Sequence, residues 1–141
     1  MNLTIKKYSL EDASDLRRIF LESRREAFFW ADPEHFDLAD FDLATRHEEI
    51  LVAIATGSPV GFIAWWPPEN FIHSLFVDPA FMGKGIGKLL LNACLLELGR
   101  PATLKCLQAN SNAIGFYKAM GWEITGAGES DEGDYFKLTL R

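Results

Sequence analysis

The sequence predicts an α/β fold in which a mostly antiparallel front sheet is followed by a crossover helix between two parallel strands. Three observations support this prediction: short apolar runs with strand-like spacing, apolar positions that recur every three or four residues, and turn residues between them. Their order is strand, helix, short helix, three strands, helix, strand, helix and two strands. Helices that alternate with strands in this way are typical of a sheet covered by helical layers.

The first third of the chain predicts a strand, a helix and an irregular segment. Alternating residues near Leu3 favour the strand, and Ser9 with the carboxylate of Asp12 three residues later caps a helix that runs to about Ala27. The irregular segment follows, with a short helix expected at 43–48. Its acidic members are Asp32, Glu34, Asp37, Asp40, Asp42, Glu48 and Glu49, and its aromatic members are Phe28, Phe29, Trp30, Phe36 and Phe41.

The middle of the chain predicts three strands. Apolar runs at 50–55 and 60–66 flank a Gly-Ser-Pro turn and form a hairpin. A further strand at 71–77 ends before Pro79, because proline cannot continue a central ladder.

The last part of the chain predicts alternating helices and strands. A helix at 86–98 is apolar on most sides, so we expect it to be largely buried. A strand at 102–107 precedes a helix that is capped near Asn110 and stopped at Gly121. The closing strands are predicted at 122–125 and 135–140, on either side of an acidic turn at 126–134.

The composition favours one soluble domain spanning residues 1–141. The chain is 48% hydrophobic and 24% charged, and its length is typical of a single domain with a buried core. A net charge of −6 argues against nucleic acids and anionic membranes as partners. The N-terminus has no signal-peptide pattern, and no apolar run reaches the ~18 residues of a membrane span. We therefore expect a cytoplasmic protein.

The cysteines and histidines give no pattern for a metal site. Cys94 and Cys106 lie inside apolar segments without the spacing of ligand pairs, so both are expected to be buried thiols. His35, His47 and His73 are not spaced as metal ligands either, and the first two are expected at the surface.

The most informative segment leads from the strand at 71–77 through three glycines into a helix. Gly83, Gly85 and Gly87 let the backbone approach a ligand, while the free N–H groups and the dipole of a helix start attract phosphate. A diphosphate would fit here. The spacing is neither that of a P-loop nor that of a dinucleotide fingerprint. A tight turn with close helix–strand packing is the alternative for this segment taken alone.

A second segment makes the interpretation more specific. This segment, Asn110 to Tyr117, has the pattern N-x-x-A-x-x-F-Y and is followed by Gly121-Trp122. The glycine-rich loop, Met82 to Gly87, matches the pattern Q/R-x-x-G-x-G/A, except that Met82 replaces Gln or Arg. Together these motifs resemble the GCN5-related N-acetyltransferase (GNAT) superfamily over nearly the whole chain. The resemblance implies the GNAT fold: a mixed central sheet with antiparallel front strands, a V-shaped split between the two central parallel strands, and about four flanking helices.

The resemblance also implies acetyl-CoA as the cosubstrate, with no metal. Acetyl-CoA would lie in the split between the strands at 71–77 and 102–107. The main chain of the first strand would pair with the pantetheine arm and polarise the thioester carbonyl, and the glycine-rich loop would take the diphosphate. The implied binding residues are Leu75, Phe76, Val77, Met82, Gly83, Lys84, Gly85, Ile86, Gly87, Lys88, Asn110, Ala113, Phe116 and Tyr117.

Amide formation from a thioester needs a neutral amine and an acid for the departing thiolate. The resemblance assigns the acid to Tyr117, whose alternative role is packing on one face of an amphipathic helix. The base is open between three possibilities. His73 has a reference pKa of ~6.5 and shares strand parity with Phe71 and Glu69. Glu69 would act through a water, or the amine would lose its proton to water without a dedicated base.

We therefore predict an acetyl-CoA-dependent N-acetyltransferase that acts by direct transfer to a primary amine, of a small cationic molecule or of a protein or peptide. The acidic segment at 32–42 is expected beside the acceptor cleft, where it would attract a cation, although such carboxylates also solvate exposed loops. The alternatives are a catalytically inactive acyl-CoA-binding or regulatory module of the same fold and a nucleotide-phosphate enzyme. The protein would be a monomer or a homodimer.

Overall fold

A computed structural model describes residues 2–27 and 32–141, and it confirms the predicted order of elements. Seven strands form one mixed sheet, and four α-helices lie in the described residues. The strands are β1 (Leu3–Lys7), β2 (Glu49–Ala55), β3 (Ser58–Trp66), β4 (Phe71–Val77), β5 (Ala102–Leu107), β6 (Glu123–Ser130) and β7 (Gly133–Leu140). The helices are α1 (Ala13–Ala27), α2 (Asp40–Ala44), α3 (Ile86–Glu97) and α4 (Ser111–Ala119). Within these residues, no helix has the length and apolar character that crossing a bilayer requires.

The sheet has the order β1-β2-β3-β4-β5-β7-β6, and only the central pair β4–β5 is parallel. These two strands pair only at their beginnings, through Phe71 with Thr103 and Ile72 with Leu104. Pairing between β4 and β3, in contrast, continues to Val77. The sheet therefore splits beyond Ile72, as the predicted V-shaped opening requires.

A β-bulge lies where the split begins. In the β3–β4 register, Ala64 pairs with Ser74 and Trp65 pairs with Ile72, so His73 has no partner on β3. An extra residue bends a strand and increases its local twist. The bulge thus coincides with the point at which β4 leaves β5.

Two apolar clusters cover the two faces of the sheet. One lies under α3 and α4 and the other under α1 and α2. The expectation that α3 is buried on most sides is wrong, because only one side of the helix packs against the sheet: Leu90 and Leu91 are fully buried, whereas Leu96 is 89% exposed. Cys94 and Cys106 are free and buried, as expected.

The boundaries of α2 and of the last hairpin differ from the predictions. The short helix lies at Asp40–Ala44 rather than 43–48, and the Asp37 carboxylate accepts a hydrogen bond from the N–H of Ala39 at its start. Residues 126–130 and 133–134 belong to the strands of the closing hairpin instead of an acidic turn. Gly128 gave a turn signal, but it makes room for a neighbour: a Cβ there would lie 2.4 Å from the Tyr135 hydroxyl oxygen.

Candidate active site

Two cavities meet where the sheet splits. We call the first the glycine-loop cavity, of about 570 Å³, which lies between β4, α3, α4 and the loop at 82–85. We call the second the α2-side cavity, of about 910 Å³, which lies between α1, α2, β4, β5 and the β6–β7 hairpin. The residues that line both are Leu75, Phe76, Asn110, Ala113 and Tyr117. The two cavities therefore adjoin at these five residues.

The glycine-loop cavity is shaped by backbone that only glycine adopts easily. Gly83 and Gly85 have φ values of +78° and +77°, and a Cβ at either position would meet no atom within 4 Å. Their requirement is therefore conformational, and the space above them is open to a ligand.

The start of α3 faces this cavity with unpaired donors. The first hydrogen bond of the helix runs from Leu89 N to Gly85 O at 3.1 Å, so the N–H groups of Ile86, Gly87 and Lys88 have no acceptor inside the helix. Together with the helix dipole, these groups favour an anion such as a phosphate. Ser23 of α1 also lines this cavity, and its hydroxyl donates a hydrogen bond to Val77 O, at the end of β4, at 3.0 Å.

Thirteen of the fourteen residues predicted to bind the cosubstrate line the glycine-loop cavity. Lys84 is the exception: it is exposed and its side chain lines neither cavity. Asn110 lines both cavities, but its side-chain oxygen also accepts from Ala113 N at 3.3 Å and caps α4. Its carboxamide therefore has a structural role as well as a place in the wall.

Tyr117 lies at the junction of the two cavities. Its side chain packs edge-on against Phe116 and Trp122, with ring centroids 5.2 and 5.9 Å away. Among the described residues its hydroxyl has no hydrogen-bond partner. Burial raises the pKa of Tyr117 well above its usual value, and the neighbouring thiols of Cys106 and Cys94 raise it further. The phenol is therefore neutral at pH 7.

His73 lines the α2-side cavity on the same face of β4 as Phe71, with ring centroids 6.1 Å apart. Its Nδ1 lies 3.0 Å from Ala44 O and 3.2 Å from Glu48 Oε2. The hydrogen bond to Glu48 raises the pKa of His73 above its ordinary value, although partial burial opposes this rise. In the sequence, Glu48 is only one member of an acidic segment, because nothing there shows that the turn between α2 and β2 brings it to β4.

Glu69 does not share a cavity with His73. It ends a short 3₁₀ turn at Pro67–Glu69, is exposed, and lines neither cavity. Asn70 follows with a left-handed φ of +50°. Strand alternation begins only at Phe71, so the parity that relates Phe71 to His73 does not extend back to Glu69.

Arg24 joins three elements around the α2-side cavity. Its guanidinium donates to Asp40 of α2 at 3.2 Å and to Glu132, between β6 and β7, at 3.0 Å. It also lies over the rings of Phe20 and Phe36, 4.7 and 4.4 Å from their centroids. Sequence spacing gives no sign of this arrangement, because Arg24 and Glu132 are 108 positions apart.

Most carboxylates of the acidic segment at 32–42 do not reach the cavity. Of the five predicted beside the acceptor cleft, only Asp40 lines it, and Arg24 pairs with it. Asp42 forms an exposed ion pair with Arg17 at 2.8 Å. Asp32 and Asp37 cap local turns, and Glu34 is exposed.

The aromatic residues and histidines of this part of the chain have different outcomes. Phe36 and Phe41 are buried, each 1% exposed. Phe28, Phe29 and Trp30 lie outside the described residues, as does the side chain of His35. His47 is exposed, as predicted.

The cysteine in the α2-side cavity is not poised as a nucleophile. Cys106 lines this cavity, but burial raises its pKa to about 11, so the thiol is protonated at pH 7. Burial also raises the pKa of Cys94, to about 12. Among the described residues, no three His, Cys, Asp or Glu side chains lie together in a way that would hold a metal ion.

Residues 13–122 match the profile of the acetyltransferase (GNAT) family. The chain belongs to this family. Among relatives, it is 39% identical over 74 residues to the peptidyl-lysine N-acetyltransferase YjaB of Salmonella typhimurium, a match of 52% of this chain and 49% of that protein. It is 30% identical over 131 residues to an uncharacterized N-acetyltransferase of Archaeoglobus fulgidus, covering 82% and 89%. The chain thus spans about half the length of the YjaB relative it matches.

Solved GNAT structures share the whole fold. The solution structure of apo-form YjaB from Escherichia coli superposes with a TM-score of 0.81 at 24% identity, covering 99% of this chain and 97% of that one. The PaiA N-acetyltransferase of Thermoplasma acidophilum, solved in complex with coenzyme A, also gives 0.81, at 21% identity and full coverage of both chains. At these identities the likeness establishes the fold.

Proposed function

We propose that this protein transfers the acetyl group of acetyl-CoA to a primary amine by direct transfer. The observation that carries the proposal is the meeting of two cavities at Tyr117, where β4 and β5 separate. Direct transfer needs a cosubstrate and an acceptor in contact, with a proton donor between them. The GNAT family assignment supports the same chemistry.

The glycine-loop cavity fits acetyl-CoA. The open space over Gly83 and Gly85 and the free N–H groups at the start of α3 suit a diphosphate, while Leu75 to Val77 offer a strand edge that β5 leaves unpaired. When bound, acetyl-CoA would supply the activated acetyl group. PaiA, a structural neighbour, was solved with coenzyme A, which supports the same ligand class here.

Tyr117 is the proposed acid. Its raised pKa keeps the hydroxyl protonated at pH 7, and its place in both cavity walls brings it near any bond that is broken at their junction. The departing thiolate, whose thiol has a pKa near ~8.5, can take a proton from a donor positioned beside it. The neutral state of Cys106 favours direct transfer over a route through an acetylated cysteine.

His73 is the proposed base, because it is the imidazole in the wall of the α2-side cavity. Glu69 does not enter this proposal, since its side chain lies outside both cavities. The acceptor is a primary amine of a small molecule, or of a protein or peptide. The names of two relatives, a peptidyl-lysine and an N-alpha-acetyltransferase, support the amine class.

The acceptor need not be strongly cationic. Among the described residues, the side chains at the α2-side cavity carry three carboxylates, Asp40, Glu129 and Glu132, and two cations, Arg24 and Lys105. Lys105 lies 4.9 Å from the centre of the Tyr135 ring. The charges nearly balance, so a single ammonium group is tolerated while attraction of a polycation is modest.

One experiment separates the enzyme from a binding module. Purified protein is mixed with acetyl-CoA and a panel of amines that includes lysine-containing peptides, peptide N-termini and polyamines, and free thiol and acetylated products are measured. We expect thiol release that depends on one class of amine. A thermal shift with CoA but no acetylated product would favour the inactive acyl-CoA-binding module, and a shift with ATP or NAD instead of CoA would favour the nucleotide-phosphate alternative.

A further inference from the structure

We infer that Glu48 is a positioning residue for His73, holding its imidazole with the proton on Nδ1 so that Nε2 is the basic nitrogen. This inference rests on the proposed function, because it concerns the base for the acceptor amine. Neither residue type nor spacing in the sequence links the two positions, which are 25 residues apart.

The two contacts of Nδ1 determine the tautomer. Ala44 O lies 3.0 Å from Nδ1, and a backbone carbonyl oxygen only accepts hydrogen bonds. Glu48 Oε2, 3.2 Å away, is a second acceptor when ionised. Nδ1 must therefore donate, and it carries the proton in neutral His73. The unprotonated nitrogen is then Nε2, as in other histidines that a carboxylate orients.

The Glu48 carboxylate is held in place by its surroundings. Its side chain is only 8% exposed, although glutamates are mostly exposed in proteins. The turn that carries it is tied to α2, since Glu48 N donates to Thr45 O at 3.0 Å and the Thr45 hydroxyl donates to Phe41 O at 2.8 Å. A buried carboxylate is costly unless it is paired, and the Nδ1–H of His73 donates to it, forming an ion pair when His73 is protonated.

The bulge in β4 places His73 where a base is needed. His73 is the residue of β4 without a β3 partner, and it directly follows Ile72, the last residue paired with β5. Bulges re-aim side chains next to functional sites. His73 thus lies at the mouth of the split, in the wall of the cavity to which Tyr117 also contributes.

The charged groups around His73 lie in the turn before β2, on α1, α2 and β5, and in the β6–β7 hairpin. Glu48 raises the pKa of His73 through its hydrogen bond and its charge, while Arg24 of α1 lowers it. The other charged groups in the wall of the same cavity are Asp40 of α2, Lys105 of β5, Glu129 of β6 and Glu132 of the β6–β7 turn. Glu48 has the strongest effect of these because it alone contacts the ring through a hydrogen bond.

The protons balance in the proposed reaction. His73 Nε2 takes one proton from the acceptor ammonium, and Glu48 balances the positive charge of the ring. The amine nitrogen forms the C–N bond as the C–S bond breaks, and Tyr117 gives its proton to the sulfur. The nitrogen then returns a proton to Tyr117, and His73 releases its proton to solvent. One proton ends on the CoA thiol and one in solution.

The test uses ¹⁵N-labelled full-length protein and the variants Glu48→Gln and Glu48→Asp. Long-range ¹H–¹⁵N spectra report which ring nitrogen of His73 carries the proton and the midpoint of its titration. We expect the proton on Nδ1 in the unsubstituted protein. The midpoint should fall in Glu48→Gln, since its charge is lost, and should fall less in Glu48→Asp, which keeps a carboxylate. The acidic limb of kcat/KM should move to lower pH in the same order.

Glu49→Gln is the matched control, because it makes the same change at the next, exposed residue. A proton on Nε2, or an unchanged midpoint in folded Glu48→Gln, would overturn the inference. His73→Gln should remove the acidic limb and lower kcat/KM by about 10²–10⁴; full activity in this variant would remove the role as base. If no amine is acetylated, the proposed function and the role as base both fail, and the tautomer spectra still show whether Glu48 orients the ring.

Discussion

The two cavities are built in opposite ways. The glycine-loop cavity is formed largely by two short stretches of chain, 75–88 and 109–117. The α2-side cavity takes its walls from α1, α2, β4, β5 and the β6–β7 hairpin, and an ion pair between residues 108 positions apart helps to hold it. A backbone-based phosphate site is encoded locally, because a helix start and its glycines are neighbours in sequence.

This difference shows where a sequence motif is informative. On the glycine-loop side, the proposed phosphate contacts come from main-chain N–H groups, so the pattern of glycines is a direct sign of the proposed site. On the α2 side, the proposed chemistry depends on individual side chains such as Arg24, His73 and Glu48. Their partners are chosen by tertiary packing, and substitutions on the two sides should therefore affect different measured quantities.

The largest effect is expected at Tyr117, where the cavities meet. Tyr117→Phe keeps the ring packing but removes the proposed acid, so kcat for thiol release should fall by about 10²–10⁴. CoA affinity and Tm should change little, because the hydroxyl has no partner among the described residues. Tyr8→Phe removes a hydroxyl away from both cavities and serves as the control. Full activity in folded Tyr117→Phe would leave only the packing role.

Gly85→Val should affect the glycine-loop side alone. A β-branched residue at φ +77° costs roughly 1–3 kcal/mol of backbone strain, and its side chain would enter the open space above the loop. CoA affinity, measured by calorimetry, should weaken by about 10- to 100-fold. Gly57→Val is matched in φ, at +82°, and in open space, but lies in the β2–β3 turn. Equal losses of CoA affinity in the two variants would contradict the placement.

Asp40→Asn should affect the α2 side alone. It removes one carboxylate from the cavity wall and leaves Arg24 paired with Glu132. For a polycationic amine, kcat/KM should fall by about fivefold at low salt, because two unit charges 4 Å apart in water attract each other by ~1 kcal/mol. The difference should shrink at 0.15 M salt, where the Debye length is ~8 Å.

The control for that prediction is Asp42→Asn, which breaks an exposed ion pair with Arg17 outside the cavity. It should leave kcat/KM unchanged. If neutral and polycationic amines turn over equally in the unsubstituted protein, with no salt dependence, attraction of a cation plays no part in acceptor choice, and the acetyltransferase proposal is unaffected.

The smallest effect is expected at Met82, which is 64% exposed and stands where the GNAT motif has Gln or Arg. Met82→Gln should tighten CoA binding by about twofold, since exposed substitutions change free energies by ~0.5 kcal/mol. Leu96→Gln places the same side chain on the far, exposed part of α3 and should have no effect on CoA. Weaker CoA binding in Met82→Gln would show that the methionine itself contacts the ligand.

The fold could be predicted because its signals are local and repeated. The strands at 71–77 and 102–107 were predicted with their observed bounds, since proline or glycine and a clear apolar run define each of them. The last hairpin was predicted less well: Gly126 and Gly128 are turn signals by themselves, and only the pairing with Tyr135 to Lys137 makes them strand residues. The start of α2 was likewise shifted, because the turn that precedes the helix is held by a hydrogen bond from Ala39 N to the Asp37 carboxylate, which residue spacing does not show.

In the candidate site, too, local features could be predicted from the sequence and tertiary contacts could not. Sequence alone indicated the glycine-rich loop proposed to bind phosphate, the helix that carries Tyr117 and the family, because residue type and spacing define the backbone conformations of these elements. Only the tertiary structure showed that Glu69 lies outside the cavities, that Glu48 contacts His73, and that Arg24 neutralises Asp40. Those relations depend on how a bulged strand packs against distant elements, and no local pattern records which side chains a bulge will bring into contact.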